Sequence, residues 1–524
     1  MTPMTIMDAR QTIALINEIE HTFPVHQWNV EKVRFWPIVR IKLAWDLTTK
    51  HMTTRAHIRT IGYSLPYLFQ TIAGKVHDIA KYSAARIKDS SHHSPLRGPV
   101  DVVLLGDGIS RVKLQGSWYD RLCDPFMDQF QYKGMSFFHL EPNHYYFIPR
   151  YRPSLFIGPH LDAIRIKALL SGTAVPCKTD NADRYEAFQR LLADKNVGNS
   201  ELSLVIIAKR VHTLHALSTY FQSLLATLRP RIGFLVDYPS LEGLAFCLAC
   251  RNQGIPTVVI QHGVQGDFNE AYGRWMNIPE DGYELLPSIF WCWSQEDAQK
   301  INAWSSPAFP LHQAFAGGNL FLDRWRDGTF PIASQYRDAF LDMKASHPAT
   351  AHILVTLQYG FSSEDHLQTL LMAMKQSPSA WHWWIRLHPM MTNDKAEIEA
   401  VLARHHITNY EMDQATGLPL YAVLPNADVH VTLHSAVVIE AESFNVPTVI
   451  ISETGSVHFQ NQIRSGAAVA AYDPDAIINA IKRQVIKRQQ TSGHSLAGPE
   501  RSQDKIDELL VIADSVRYRL AQVH

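Results

Sequence analysis

The sequence predicts an α/β chain of twin Rossmann-type domains facing each other across a cleft, preceded by a helical amino-terminal extension. Two stretches and their likeness to each other carry that prediction. The first, Arg231 to Gly263, reads RIGFLVDYPSLEGLAFCLACRNQGIPTVVIQHG. Its apolar run Ile232 to Val236 ends in Asp237 and Tyr238, as a buried parallel strand does where it meets solvent. Leu241, Leu244, Ala245, Leu248 and Ala249 then follow at helical spacing, and Gly254 and Pro256 punctuate the end. TVVI is a second buried strand, delivering Gln261, His262 and Gly263 to its carboxyl end. In open α/β sheets ligands bind at the carboxyl ends of the strands, so Asp237 and QHG are expected to share a crevice. The second stretch repeats this plan: DVHVTLHS from Asp428 is a strand, VVIEAESF a short helix, and NVPTVIIS from Asn445 matches GIPTVVIQ from Gly254. Two equivalent βαβ units imply two similarly built halves.

At 524 residues the chain exceeds one ordinary core and suits two or three domains of roughly 100–200 residues each. A formal net charge of -1 gives no general electrostatic reason to bind nucleic acid or an anionic membrane. No run of about 18 apolar residues occurs and the amino terminus lacks a signal pattern, so a cytoplasmic protein is expected, at most peripheral at the inner membrane. Five cysteines do not make a disulfide framework, and Cys247 and Cys250 read as core residues of a helix. The 26 histidines include no H-E-x-x-H or comparable metal spacing. His92-His93 and His405-His406 read as solvated.

In chain order, residues 1–95 form the helical extension, with Trp28, Phe35, Trp36 and Trp45 packed on the first half. The rival use is a membrane-facing or partner-facing surface, because Arg55, Arg59, Lys75, Lys81, Arg86 and Lys88 are interspersed with apolar residues. SSHHSPLRGP is a linker by composition. The first Rossmann-like domain spans 96–312. VDVVLL from Val100 is its first strand, and Gly106, Asp107 and Gly108 follow it in a loop that admits close backbone approach. Asp107 and Arg111 are the acceptor-side candidates, an exposed loop being the plainer alternative. Ser203 to Ala208, SLVIIA, is expected to be a strand leading into a helix. A long polar and aromatic loop after QHG carries Arg274. SIFWCW from Ser288 is expected to be the last strand of this half, with Gly317, Gly318 and Asn319 as the hinge. The second domain, 313–490, starts with HILVT, ending at Gln358, Tyr359 and Gly360; WWIRL follows, ending in His388 and Pro389. A closing helix occupies 491–524.

Several of these residues suit chemistry. His388 follows a strand directly, stiffened by Pro389, with Arg386 just before it. Ser435 and Ala436 sit at a strand-to-helix turn, where a hydroxyl and free N–H groups suit a phosphate. Glu440, in that helix, suits ribose hydroxyls; a simple helix cap and a surface charge are the plainer account. Asp237 is the carboxylate best placed for reaction, unless it only caps its helix.

IPTVVIQHG, IRLHPM and HSAVVIEAESFNVPTVII, with TLQYG and the GGN hinge, resemble bacterial sugar transferases of the GT-B fold that build capsule and lipopolysaccharide chains. The QHG and HP pair most resembles the β-Kdo transferases, which use CMP-activated Kdo. The resemblance covers roughly residues 100–480. It implies that the second half holds a nucleotide-sugar donor: His388, Pro389, Ser435 and Ala436 near phosphate and base, Glu440 on ribose, Gln358 near the sugar and Arg386 alongside. It implies no cofactor and no bound metal, helix amino termini and side-chain donors stabilising the departing phosphate. Asp237 is then a base in an inverting transfer, or a nucleophile forming a glycosyl-enzyme with net retention, the role that a CMP-β-Kdo donor and a β-linked product favour. His262 orients or stabilises charge, Gln261 and Gly263 join the donor site, and Arg274 pairs with the sugar carboxylate. The partners implied are the donor, a glycan or lipid-linked glycan acceptor and other polysaccharide enzymes, with no nucleic acid. Alternatives are a UDP-sugar transferase, a UDP-GlcNAc 2-epimerase-like enzyme and a catalytically silent scaffold.

Overall fold

A computed structural model of the chain describes residues 7–49, 98–143, 147–170, 182–197, 200–305, 310–359, 363–491 and 505–523. The chain forms two compact units, Met1–Phe321 with Arg501–His524, and Leu322–Glu500. Each is a Rossmann-like α/β layer structure built on a parallel sheet.

The first unit opens with a helix, Ala9–Thr22, whose Asp8 and Gln11 form a capping box. A small antiparallel hairpin, β1 (Asn29–Val30) and β2 (Val33–Arg34), leads to a second helix, Trp36–Thr49. Trp28, Phe35 and Trp36 are buried in one core with Tyr185 and Phe188, so this described part of the extension belongs to the first unit. Trp45 is exposed. The interspersed basic residues from Arg55 to Lys88, the linker SSHHSPL and His92-His93 lie outside the described residues.

The sheet strands are β3 (Val102–Leu105), β6 (Phe137–Glu141), β7 (Leu155–Phe156), β8 (Ile232–Leu235), β9 (Thr257–Ile260), β10 (Ile289–Cys292) and β11 (Gln313–Ala316). They lie in the order β11-β10-β9-β8-β3-β6-β7, every pair parallel. A separate antiparallel hairpin, β4 (Arg111–Leu114) and β5 (Ser117–Asp120), follows β3. Alternating residues serve opposite faces, as the pleat requires. Val103, Leu105, Leu235 and Val259 pack on the side of the helices Leu204–Leu228 and Leu241–Asn252. Val102, Leu104, Phe234 and Ile260 pack on the side of Phe126, Phe130 and the closing helix Lys505–Val523. Burial on both faces explains the continuous apolar runs.

Three expectations for this unit are corrected. SLVIIA is the amino end of the helix Leu204–Leu228, not a strand. Its buried positions, Ile207, Ala208, Val211, Leu214, Leu217, Phe221, Leu224 and Leu228, keep helical spacing for seven turns, a period that a six-residue window cannot display. SIFWCW contains β10 but is not the last strand, because β11 pairs with it in parallel. The division between units therefore falls after Phe321, beyond Gly317, Gly318 and Asn319, rather than at residue 312. The closing helix belongs to the first unit, where Ile506, Leu509, Val516 and Leu520 are buried.

The second unit holds β12 (Ala351–Thr356), β13 (Trp381–Arg386), β14 (Tyr410–Glu411), β15 (Val429–Thr432), β16 (Thr448–Ile450) and β17 (Ala468–Ala470), in the order β14-β13-β12-β15-β16-β17, all parallel. The internal repeat extends to backbone detail. Gly254 (φ 64°) and Asn445 (φ 57°) occupy the same place in it, one residue before Ile-Pro-Thr and Val-Pro-Thr, and both are left-handed. Each ends its helix as glycine and asparagine characteristically do. Among the described residues no helix is long and apolar enough to cross a membrane.

Candidate functional site

The carboxyl ends of β3, β8 and β9, neighbours in the first sheet, carry Asp107, Asp237 and His262 within two residues of the strand ends. The helix after β8 starts so close to the Asp237-Tyr238 turn that a Cβ at Gly243 would lie 2.2 Å from the Asp237 carbonyl oxygen. Only glycine permits that approach. Ser240, not Asp237, caps this helix, its Oγ accepting from the Gly243 N–H at 3.0 Å. The carboxylate of Asp237 is thus not committed to a cap, which removes the plainest structural account of it.

Asp237 is exposed to solvent yet closely surrounded by protein. That enclosure pushes its pKa above the usual carboxylate range; His262 draws it down, Asp107 adds to the upward push and Ser240 opposes it. Because the side chain keeps solvent access, the shift is more modest than full burial would give. His262 is half-buried, and its Nδ1 is buried without a hydrogen-bond partner. Asp107 folds its own loop, accepting from the Ile109 N–H at 2.9 Å and the Ser110 hydroxyl at 2.9 Å. Tyr272, which sequence reasoning missed, is also here: burial pushes its phenol up, and the charge of Asp237 pushes the same way.

The other first-unit candidates are committed elsewhere. Gln261 is fully buried, donating to the Gly263 carbonyl at 3.0 Å and Asp297 at 3.2 Å and accepting from the Trp293 N–H at 2.6 Å. It ties the end of β9 to that of β10. Arg274 has φ 50°, is exposed, and pairs with Asp267 at 3.2 Å. Arg111, expected on an acceptor, turns inward to a buried ion pair with Glu141. Burial alone would raise Glu141, but Arg111 and Arg150, the latter at 2.5 Å, hold it at about 2.

The loop that follows QHG is held from the amino-terminal helices, which the sequence did not reveal. Arg40 is fully buried, pairs with Glu20 at 2.9 Å, and donates to the carbonyls of Glu270, Gly273 at 2.8 Å and Arg274 at 3.2 Å. Its guanidinium also lies over the Trp275 ring, 4.1 Å from the centroid. Glu20 accepts from the Trp36 indole at 2.7 Å and the Met276 N–H at 2.8 Å. The contacts to the loop join residues more than two hundred positions apart, beyond any local pattern.

In the second unit Gln358, His388 and Ser435 follow β12, β13 and β15, again three neighbouring strands. Gln358 is buried and donates to Thr432 Oγ1 at 2.6 Å, while its Oε1 is buried without a partner. His388 accepts from the Met390 N–H at 3.2 Å and lies 6.4 Å from the Tyr359 ring, between ring centroids; Pro389 is exposed. Ser435 Oγ accepts from the Val437 N–H at 3.3 Å, with Ala436 between them. Arg386 donates to the carbonyls of Ala415 at 2.6 Å and Leu418 at 2.7 Å. Glu440, expected at ribose, is buried and accepts from the Tyr421 hydroxyl. Beneath these residues His430 bridges Thr356 at 2.8 Å and Thr448 at 3.1 Å, and burial pushes it down to about 3, a neutral core imidazole. Of the two other pairs read from the sequence, Cys247 and Cys250 are buried in the helix core, whereas His405, expected to be solvated, is partly buried and meets Glu364 at 2.8 Å. His406 is exposed.

No family model and no curated protein matches the chain. Among solved structures it is similar to the UDP-GlcNAc 2-epimerase of Methanocaldococcus jannaschii in complex with UDP-GlcNAc and UDP, at 12% identity over 78% of this chain and 99% of that one, TM-score 0.47. It is similar to the UDP-GlcNAc 2-epimerase of Neisseria meningitidis at 13% identity over 79% and 99%, TM-score 0.47. A spinosyn rhamnosyltransferase matches at 12% identity over 78% and 100%, TM-score 0.39. Likenesses this distant assign no residue and no activity to the present chain.

Proposed function

We propose that the protein is a glycosyltransferase that uses a nucleotide sugar, Kdo from CMP-β-Kdo, and passes it with retention to a glycan acceptor in bacterial capsule or lipopolysaccharide synthesis. One observation carries the reading: Asp237, raised above the usual carboxylate range and electrostatically linked to His262 and Asp107, stands uncapped at the ends of adjacent parallel strands. In the first step a carboxylate oxygen of Asp237 attacks the anomeric carbon and CMP departs with the bonding pair. In the second, the acceptor hydroxyl displaces Asp237 and its proton passes to a ring nitrogen of His262. His388 and Ser435 take the nucleotide, and the departing phosphate needs no divalent metal in this scheme. Asp107 belongs to the acceptor side.

The test is thermal unfolding of the full chain with CMP, CDP, UDP and GDP in turn, since a ligand that binds only the native state raises the apparent Tm. Stabilisation by CMP, followed by a protein mass increase of one Kdo residue on mixing with CMP-Kdo without acceptor, supports the proposal; the adduct must be absent in Asp237→Ala. Stabilisation by UDP alone would move the assignment to a UDP-sugar transferase or to a 2-epimerase that turns over UDP-GlcNAc without acceptor. No stabilisation by any nucleotide makes the protein a scaffold.

A further inference from the structure

Beneath the loop Gly106–Gly108 lies a group of side chains that the transfer chemistry does not use. Asp120 ends β5, Cys123 opens the helix Cys123–Tyr132, and His139 stands on β6, paired in register with Leu104 of β3. All three are buried, and one ligand atom from each, a carboxylate oxygen, a thiol sulfur and a ring nitrogen, lies within 4.8 Å of the others. Asp120 commits Oδ1 to the Leu122 N–H at 3.0 Å and the Cys123 N–H at 2.9 Å, while Oδ2 is buried without a hydrogen bond. His139 is 2% exposed, and neither of its ring nitrogens has a hydrogen-bond partner. A buried imidazole with both nitrogens unpaired is costly, and the partners that would satisfy it converge on it without reaching it. Gly106 lies directly over the group: a Cβ there would come 2.6 Å from His139 Nε2 and 3.6 Å from Asp120 Oδ2.

We propose that Asp120, Cys123 and His139 are a binding site for a divalent cation of the zinc class, seated under the Gly106–Gly108 loop. One oxygen, one sulfur and one nitrogen ligand is a donor set that zinc takes, with bonds of about 2.0–2.3 Å. The present separations close on such an ion with small side-chain movements. The surrounding charge suits it as well. Asp107, Asp120, Asp124, Asp128 and Glu141 face Arg111, Arg150 and Arg152 in the same region, five acids against three bases. A doubly charged ion with Cys123 as thiolate lowers that excess of negative charge. Arg111, 3.9 Å from Asp120 Oδ2, is directed onto Glu141 and leaves the oxygen available. The ion's role is to fix the loop carrying Asp107, and the inference stands whether or not the transfer reading does.

The experiment uses the full chain purified from zinc-supplemented culture and dialysed free of loose metal. Elemental analysis is expected to find one zinc per chain, and each of Cys123→Ser, Asp120→Asn and His139→Gln is expected to lower retained zinc on the order of tenfold or more. Replacement by cobalt(II) is expected to produce a near-ultraviolet thiolate-to-metal absorption that Cys123→Ser abolishes; if that variant does not fold, the volume-conserving Asp120→Asn and His139→Gln read the same band. Wild-type protein with no zinc and no cobalt band overturns the proposal. Zinc retained equally by the three variants overturns it too.

Discussion

The strand ends of the two sheets use similar residue types in opposite ways. At the end of β8 and β9, Asp237 is not tied into the helix cap and His262 Nδ1 has no partner. In the second unit, Arg386 and Glu440 are bound to the protein's own carbonyls and to Tyr421. A polar group left without an internal partner near a strand end is poised for a ligand; one already satisfied holds the scaffold. The repeat in sequence therefore does not imply a repeat in role. Committed and uncommitted groups occur in both units: Gln261 and Arg111 are tied up in the first, and Gln358 keeps an unpaired Oε1 in the second.

The sharpest way to break this contrast is to exchange rate for stability. Asp237→Ala is expected to lower kcat for CMP-Kdo transfer by roughly a thousandfold or more while leaving urea stability within about 0.5 kcal/mol, because the residue is exposed and the helix cap is Ser240. Steady-state kinetics and urea unfolding on one preparation check both halves. Arg40→Met, within the first unit but behind the loop, is expected to behave oppositely and cost about 3–5 kcal/mol, since it strands Glu20 as an uncompensated buried carboxylate. A loss below about 1 kcal/mol would remove the clamp from the account. In the second unit Arg386→Met is expected to cost about 2–4 kcal/mol for its two charge-assisted bonds to carbonyls, read as a shift in urea midpoint at unchanged m-value.

A subtler effect concerns pH. Asp237 must be ionised to attack, and its pKa is raised, so the acid limb of kcat/KM lies above the ordinary carboxylate range, with activity lost as pH falls through it. Asp107 is among the causes of the raise, and Asp107→Asn is expected to move the limb to lower pH. A limb that stays in place would uncouple the two residues. The smallest effect compares the repeat with itself. Gly254→Ala puts a Cβ into left-handed backbone and Asn445→Ala removes the amide that favours that conformation, and each is expected to cost about 1 kcal/mol in chemical unfolding.

What the sequence made legible was local. The runs IGFL and TVVI are short, apolar and bounded by turn residues, so β8, β9 and the position of QHG could be read directly. SLVIIA had the same look but continues as a helix beyond Ala208 to Leu228, where only the longer period distinguishes it. QAFA of β11 carries no β-branched residue; its strand conformation comes from pairing with β10, a tertiary contact that overrides propensity. The placement of candidate residues divides the same way. The position of Asp237 and His262 after strand ends could be read from the sequence, whereas the inward turn of Arg111 and Glu440 depends on Glu141 and Tyr421, which no spacing rule connects to them.

The closing helix has a consequence for how the protein is made. Its residues Ile506, Leu509, Val516 and Leu520 cover the face of the first sheet that bears Val102, Leu104 and Phe234. During translation that face emerges early, and the chain must then be extended through the entire second unit before its cover exists. For most of its synthesis the nascent first unit thus presents an apolar sheet surface to the ribosome's surroundings, a natural binding target for chaperones. A truncation that removes only the closing helix would leave that surface permanently bare, and the truncated chain is expected to aggregate, visible as a move to the pellet relative to the full chain on expression.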